Sequence, residues 1–203
     1  NNKYRKTDQL YAGRWMHGYE KAITCDIRVF FTLEDFKLKE IVNSLKLENM
    51  NDDDKAYACF MWIRKNIKYG FDDITTSKKE YWNFPFETLE RTRSDCEDQS
   101  ILLANLMLIA GIPYWKARLT AGMVRVPLTN AESGHAFLTY YCEEEDKWVI
   151  MDTTFYSNNL KIKERKDYKD EENYKTVWFS WNKKYCFFKS ARDLNKIDKI
   201  GKL

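Results

Sequence analysis

Residues 99–115 carry no charge at all, in a chain of which 32 % is charged. The stretch reads as the body of a helix that opens at Ser94 and stops at Gly111, with Pro113 just beyond, the usual punctuation of a helix end. Ile101, Leu102, Leu103, Leu106, Met107, Leu108 and Ile109 leave it no polar face. A helix that is apolar all round has to be enclosed all round, so the fold must supply neighbours on every side. The run is too short for a bilayer and is interrupted by Asn105, Gly111 and Pro113, which predicts a buried central helix and no membrane span.

The flanking segments say what those neighbours are. Residues 1–24 read as an irregular lead-in with aromatic anchors at Tyr4, Tyr11, Trp15 and Tyr19, and residues 25–31 as a short strand. Thr32 has the spacing of an N-cap with Asp35 three positions on, opening a helix to about Leu45. Asp52, Asp53 and Asp54 put negative charge where a second helix begins, and Tyr57, Phe60, Ile63, Arg64 and Ile67 follow at helical spacing. Residues 69–93 read mostly as loop, pinned by the aromatic cluster of residues 81–86. After Pro113 the period changes to two: residues 115–126, 135–142 and 147–152 alternate as strands, with a turn at 143–146. Residues 161–175 form a charge-dense, solvated loop, residues 177–188 add one or two strands, and a basic tail starts at Lys189. Helices followed by an antiparallel sheet make an α+β domain. Its parts are a lead-in (1–55), a core (56–156) and a charged loop with an aromatic strand extension (157–203), all of one domain.

Charge and cysteine usage exclude several classes of function. The net charge is +3, with bases and acids interleaved and no basic stripe, so no nucleic-acid partner is expected. Residues 1–18 hold no apolar run of the kind a signal peptide needs, and no membrane association is expected. The cysteines at 25, 59, 96, 142 and 186 are too scattered for zinc knuckles, redox pairs or a disulfide framework. That pattern suits a reducing compartment, and without a leader or a span the expected location is cytoplasmic or virion-associated. Aromatic residues reach 16 %, and those flanking the core offer a surface for a protein partner.

One cysteine stands apart. Ser94 and Glu97 have capping-box spacing around Cys96, which places the thiol in the first turn of the apolar helix. There, unsatisfied N–H groups and the positive end of the helix dipole favour a thiolate. An ordinary core cysteine near a cap has the same local sequence, so the hexamer leaves both readings open. A nucleophilic thiol also needs a base and an orienting acceptor. His135 opens one strand of the hairpin and Asp152 closes the other; with the turn centred between Glu143 and Glu144 the two stand opposite and share a face. Gly134 leaves room for a close approach to the backbone beside His135.

The succession Ser94-Asp95-Cys96-Glu97-Asp98, Gly111-Ile112-Pro113, Gly134-His135-Ala136 and Trp148-Val149-Ile150-Met151-Asp152 resembles the transglutaminase-like superfamily. The segment Tyr81-Trp82-Asn83-Phe84-Pro85-Phe86 resembles most the bacterial and phage transglutaminase-like cysteine peptidases. The resemblance covers residues 56–154 and implies a papain-like fold with Cys96 as nucleophile, His135 as base and Asp152 as orienter. Ser94 departs from the family pattern, which commonly has Gly there; the change touches the turn more than the chemistry.

Three acids beside one thiol need an offset, because carboxylates raise a thiol's pKa. The helix dipole, Arg91, Arg93 or a bound cation would provide it. The resemblance makes Asp95 and Glu97 candidate Ca²⁺ ligands, and service to the helix N-terminus is the other reading. No cofactor is required by the triad itself. For an oxyanion, the backbone N–H of Cys96 is the first donor and the Trp82 indole or Asn83 the second. The function implied is a cysteine-dependent peptidase or amidase acting on a protein or peptide through a thioester. Protein-glutamine acyl transfer with the same triad, and a structural or adaptor domain of a phage particle, are the alternatives.

Overall fold

A computed structural model describes residues 5–7, 11–15, 22–77, 81–127, 129–155 and 158–188. At its centre is the apolar helix, α5 (Cys96–Ile109), following α1 (Phe36–Ser44), α2 (Asp52–Asn66), α3 (Asp72–Thr75) and α4 (Pro85–Arg91). Every residue of α5 from Glu97 to Met107 is buried. It stops in a Schellman arrangement: Gly111 takes φ 89°, its N–H reaches Leu108 O at 3.1 Å, and Ile112 N–H reaches Met107 O at 3.1 Å. Glycine is required there because an L side chain avoids that φ.

The strands are β1 (Arg5–Thr7), β2 (Tyr11–Trp15), β3 (Ala22–Asp26), β4 (Lys68–Tyr69), β5 (Arg93–Ser94), β6 (Ala117–Arg125), β7 (Glu132–Cys142), β8 (Lys147–Met151), β9 (Tyr174–Trp181) and β10 (Cys186–Phe188). Six of them form an antiparallel sheet in the order β1-β10-β9-β6-β7-β8. The three strands expected directly after Pro113 are β6, β7 and β8. One sheet face packs on α5: Leu119, Leu138, Tyr140 and Trp181 meet Leu102, Leu103, Leu106 and Met107 in the main core. On the other side of α5 lie Phe30 and Leu38 with α2 residues Cys59, Phe60 and Ile63. The enclosure demanded by the sequence is thus met by helices on one side and sheet on the other.

Several local expectations are corrected. The lead-in is not irregular throughout: β2 and β3 form a hairpin, and β1 is the sheet's edge. Of the four aromatic anchors, Tyr11 and Trp15 fall in β2 and Tyr4 and Tyr19 lie outside the described residues. The Lys189 tail is also outside them. β1 escapes the sequence pattern because an edge strand pairs through its backbone and needs no apolar alternation. Residues 25–31 form a strand only as far as Asp26, whose carboxylate accepts Arg28 N–H at 2.9 Å and turns the chain into a 3-10 helix (Ile27–Phe30). Helix α1 is capped by Asp35, not Thr32: Asp35 Oδ1 accepts Leu38 N–H at 3.2 Å, while Thr32 N–H is used on Asn105 of α5 at 2.8 Å. Residues 69–93 are not mostly loop. Pro85 takes the first turn of α4, where its missing N–H costs nothing, and β4 and β5 form a parallel bridge.

Residues 161–175 are not simply solvated either. Ile162 is buried, and Arg165 is only 6 % exposed. Its guanidinium lies 4.7 Å from the Phe60 ring centroid and donates to Ile150 O at 2.8 Å. Long charged side chains bury their stems in this way, so charge density alone misreads the segment.

Candidate active site

The bridge between β4 and β5 sets the geometry around Cys96. Tyr69 pairs with Ser94, Gly70 N–H donates to Ser94 O at 3.0 Å, and Gln99 Nε2 donates to the same oxygen at 3.1 Å. Ser94 is therefore extended and makes no capping box; Asp95 is the N-cap of α5. The Glu97 carboxylate faces the thiol, with Oε2 3.3 Å from Cys96 Sγ. Ser94 stands in ordinary negative-φ backbone, so its replacement of glycine introduces no strain. Cys96 is half-buried, and its Sγ lies 3.5 Å from Ala136 N on β7.

The hairpin brings the other two residues to it. Met151 pairs with Leu138, so the ladder's register sets Asp152 level with Phe137, two positions from His135. The turn is centred one residue later than the sequence spacing implies, which makes the pair diagonal rather than directly opposed. Diagonal neighbours still share a face, and His135 Nε2 meets Asp152 Oδ2 at 2.5 Å. His135 is flanked by Phe137 and Phe155, with ring centroids 6.0 and 5.3 Å away. Burial disfavours its charged form, but the charge and hydrogen bond of Asp152, followed by those of Cys96, outweigh it and push the imidazole up to about 10. An imidazolium held between a carboxylate and a thiol is an arrangement suited to nucleophilic chemistry.

Asp152 is 3 % exposed and is satisfied on both oxygens. Oδ1 accepts from Thr154 N at 2.9 Å, Thr154 Oγ1 at 3.1 Å and Phe155 N at 2.9 Å. Oδ2 accepts from His135 and from the Tyr174 hydroxyl at 2.9 Å. Tyr174 was hidden in the segment read as solvated loop; only the pairing of β9 on β6 places it here.

Cys96 and His135 open into a cleft of about 1020 Å³ that is also lined by Tyr69, Trp82, Trp178 and Phe179. The close approach expected at Gly134 is made by Trp178: a Cβ there would sit 3.0 Å from the indole. Trp82 lines the cleft while stacking on Trp181 at 5.7 Å. Asn83 does not line it. Its backbone N–H donates to Asp98 Oδ1 at 2.7 Å, its amide to Asp98 Oδ2, and its own Oδ1 accepts from Arg91.

The acids divide into two groups. Asp98 turns away from the thiol into the core, where burial first and the charge of Asp95 next hold its carboxyl well above the usual range against the Asn83 hydrogen bonds. Asp95 and Glu97 converge with Asp72, one carboxylate oxygen of each lying within 4.8 Å of the others. Asp72 was not foreseen. It is at the start of α3, and its Oδ2 accepts the N–H of Tyr81.

Residues 39–153, more than half of the chain, match the profile of the Transglutaminase-like superfamily. The chain belongs to that superfamily. Among solved structures, this superfamily member is similar to Legionella pneumophila LapG treated with EGTA, at 19 % identity and TM-score 0.58, over 84 % of this chain and 96 % of that one. It is likewise similar to calcium-bound Legionella pneumophila LapG, at 19 % identity and TM-score 0.58, over 80 % and 86 % of the two chains. These likenesses give it the transglutaminase-like fold. No curated protein matches the chain by sequence. No helix among its described residues is long and apolar enough to cross a membrane.

Proposed function

We propose that the protein is a cysteine-dependent hydrolase of peptide or isopeptide bonds, with Cys96 as nucleophile, His135 as base and Asp152 as orienter. The observation that carries this is the Asp152–His135 hydrogen bond at 2.5 Å, set beside a thiol at a helix start in a cleft able to admit a chain. The Cys96 thiolate attacks the substrate carbonyl, and the N–H of Cys96 at the helix start donates to the oxygen as it gains charge. Trp82, in the cleft, is the favoured second donor, since Asn83 lies outside the lining and donates to Asp98 through both its backbone and its amide. As the tetrahedral centre collapses, the imidazolium gives its proton to the leaving amine and the acyl group stays on sulfur. Water, deprotonated by the neutral imidazole, then attacks the thioester and releases the acid and the thiol. Acyl transfer to an amine would use the same triad. It differs only in what reaches the thioester, and a complete triad is more than a scaffold domain requires.

The substrate reading is a protein or peptide segment, supported by the apolar, aromatic lining of the cleft. Asp72, Asp95 and Glu97 fit a hard divalent cation, which takes oxygen ligands, and the calcium-bound form of LapG supports Ca²⁺ as the ion. Bound there, it would offset the carboxylates that otherwise oppose a thiolate at Cys96.

Electrophilic labelling with mass-spectrometric readout tests the reading. Iodoacetamide should modify Cys96 ahead of Cys25, Cys59, Cys142 and Cys186, and Cys96→Ala should abolish thiol-dependent turnover while the protein still folds. Labelling without preference for Cys96, or a Cys96→Ala protein as active as its parent, would end the enzyme reading.

A further inference from the structure

We propose that Tyr174 is a positioning residue whose phenol fixes the second oxygen of Asp152 in line with His135, and through it the ring that serves Cys96. This rests on the hydrolase reading above. The two oxygens of Asp152 are held in different ways. All three donors to Oδ1 come from the two residues that closely follow Asp152 in sequence, Thr154 and Phe155. A local turn of that kind secures one oxygen but leaves the direction of the other to whatever meets it. Oδ2 is met from two other strands, by His135 of β7 and by Tyr174 of β9. If Tyr174 did not donate, Oδ2 would follow His135 wherever the ring moved. With the phenol bound at 2.9 Å, the carboxylate is clamped from both sides and His135 has a fixed target.

The phenol is itself well mounted. Its ring packs edge-on against Phe137 at 4.7 Å and Phe155 at 6.0 Å, the same two rings that flank His135. The hydroxyl has one proton and two acceptors in view, Asp152 Oδ2 at 2.9 Å and Phe155 O at 3.4 Å; distance and charge both favour the carboxylate. Burial and the neighbouring Asp152 charge raise the phenol's pKa far above its ordinary value, so it remains a donor throughout the working range. Tyr174 therefore acts on the reaction through Asp152 and His135 without touching substrate.

Tyr174→Phe removes the hydroxyl and keeps the ring contacts, and its melting temperature checks that the fold is kept. The rate of Cys96 alkylation by iodoacetamide at neutral pH should fall by about tenfold, the scale expected when a reacting group loses its alignment. The low-field proton resonance of the His135 ring N–H should move or broaden; His17 is the only other histidine. In an Asp152→Asn background, adding Tyr174→Phe should change the alkylation rate no further. An unchanged rate and resonance in the single variant would overturn the proposal. An equal loss in both backgrounds would do so too, because the effect would then come from packing. Should the parent show no preference for Cys96, the hydrolase reading fails, while the His135 resonance still reports whether Tyr174 governs the ring.

Discussion

The His135 imidazole is buried, which favours its neutral form, yet Asp152 and Cys96 together hold a proton on it up to about pH 10. The folded protein thus binds that proton more tightly than the unfolded chain, where the ordinary value is 6.5. Protonation of His135 stabilises the fold, fully below about 6.5, and the contribution is lost as the pH rises through about 10. Calorimetry across that window should show the parent's melting temperature falling more steeply than that of His135→Gln. Parallel curves would mean that the histidine is not held by its neighbours. In the same variant, alkylation of Cys96 should slow on the order of a hundredfold, as loss of a general base does.

Among the elements, β6 does most to join the parts of the site. It pairs with β7, which carries His135, and with β9, which carries Tyr174 and Trp178. The β6–β9 ladder is irregular at Ala121/Gly122, where the two backbones close in: a Cβ on Gly122 would lie 2.1 Å from Thr176 O. Because the obstacle is backbone, Gly122→Ala should destabilise the protein by about 1–3 kcal/mol in a denaturant melt. It should also depress Cys96 labelling, since Tyr174 lies two residues from Thr176. A variant as stable as the parent would show that β9 shifts freely. The elements legible in the sequence were those with a strong side-chain pattern: α2 by helical spacing, α5 by its uncharged apolar run and its Gly111 stop, and β6, β7 and β8 by alternation. Elements too short to show a side-chain repeat, or paired mainly through backbone, were not, which is why β1, β4, α3 and α4 were missed. The site divides on the same line. Cys96, His135 and Asp152 stand out through residue type and hairpin spacing, and their pairing was misjudged only by the position of one turn. Asp72 and Tyr174 reach the site through tertiary contacts, from stretches whose composition suggested loop.

At the scale of the whole molecule, calcium held by the acids beside Cys96 would couple the nucleophile proposed above to stability. If Asp72, Asp95 and Glu97 bind Ca²⁺, the ion joins α3 to the start of α5. Chelation should then lower the melting temperature and the labelling of Cys96 together. At about 100 times its dissociation constant the ion would add roughly 2.7 kcal/mol, which calorimetry detects readily. Asp95→Asn should remove the effect of chelator, and a parent indifferent to chelator would leave the acids as partners of the helix start. The order of the strands has another outcome, in time rather than space. Cys96, His135 and Asp152 are all synthesised before β9, the strand that completes the β6 ladder. Until residues 174–181 have left the ribosome, β6 keeps an open edge where that ladder belongs, and Asp152 lacks the Tyr174 hydroxyl. For the hydrolase proposed above, that order amounts to a delay: the hydroxyl that holds Asp152 arrives only with β9, after all three residues of the triad.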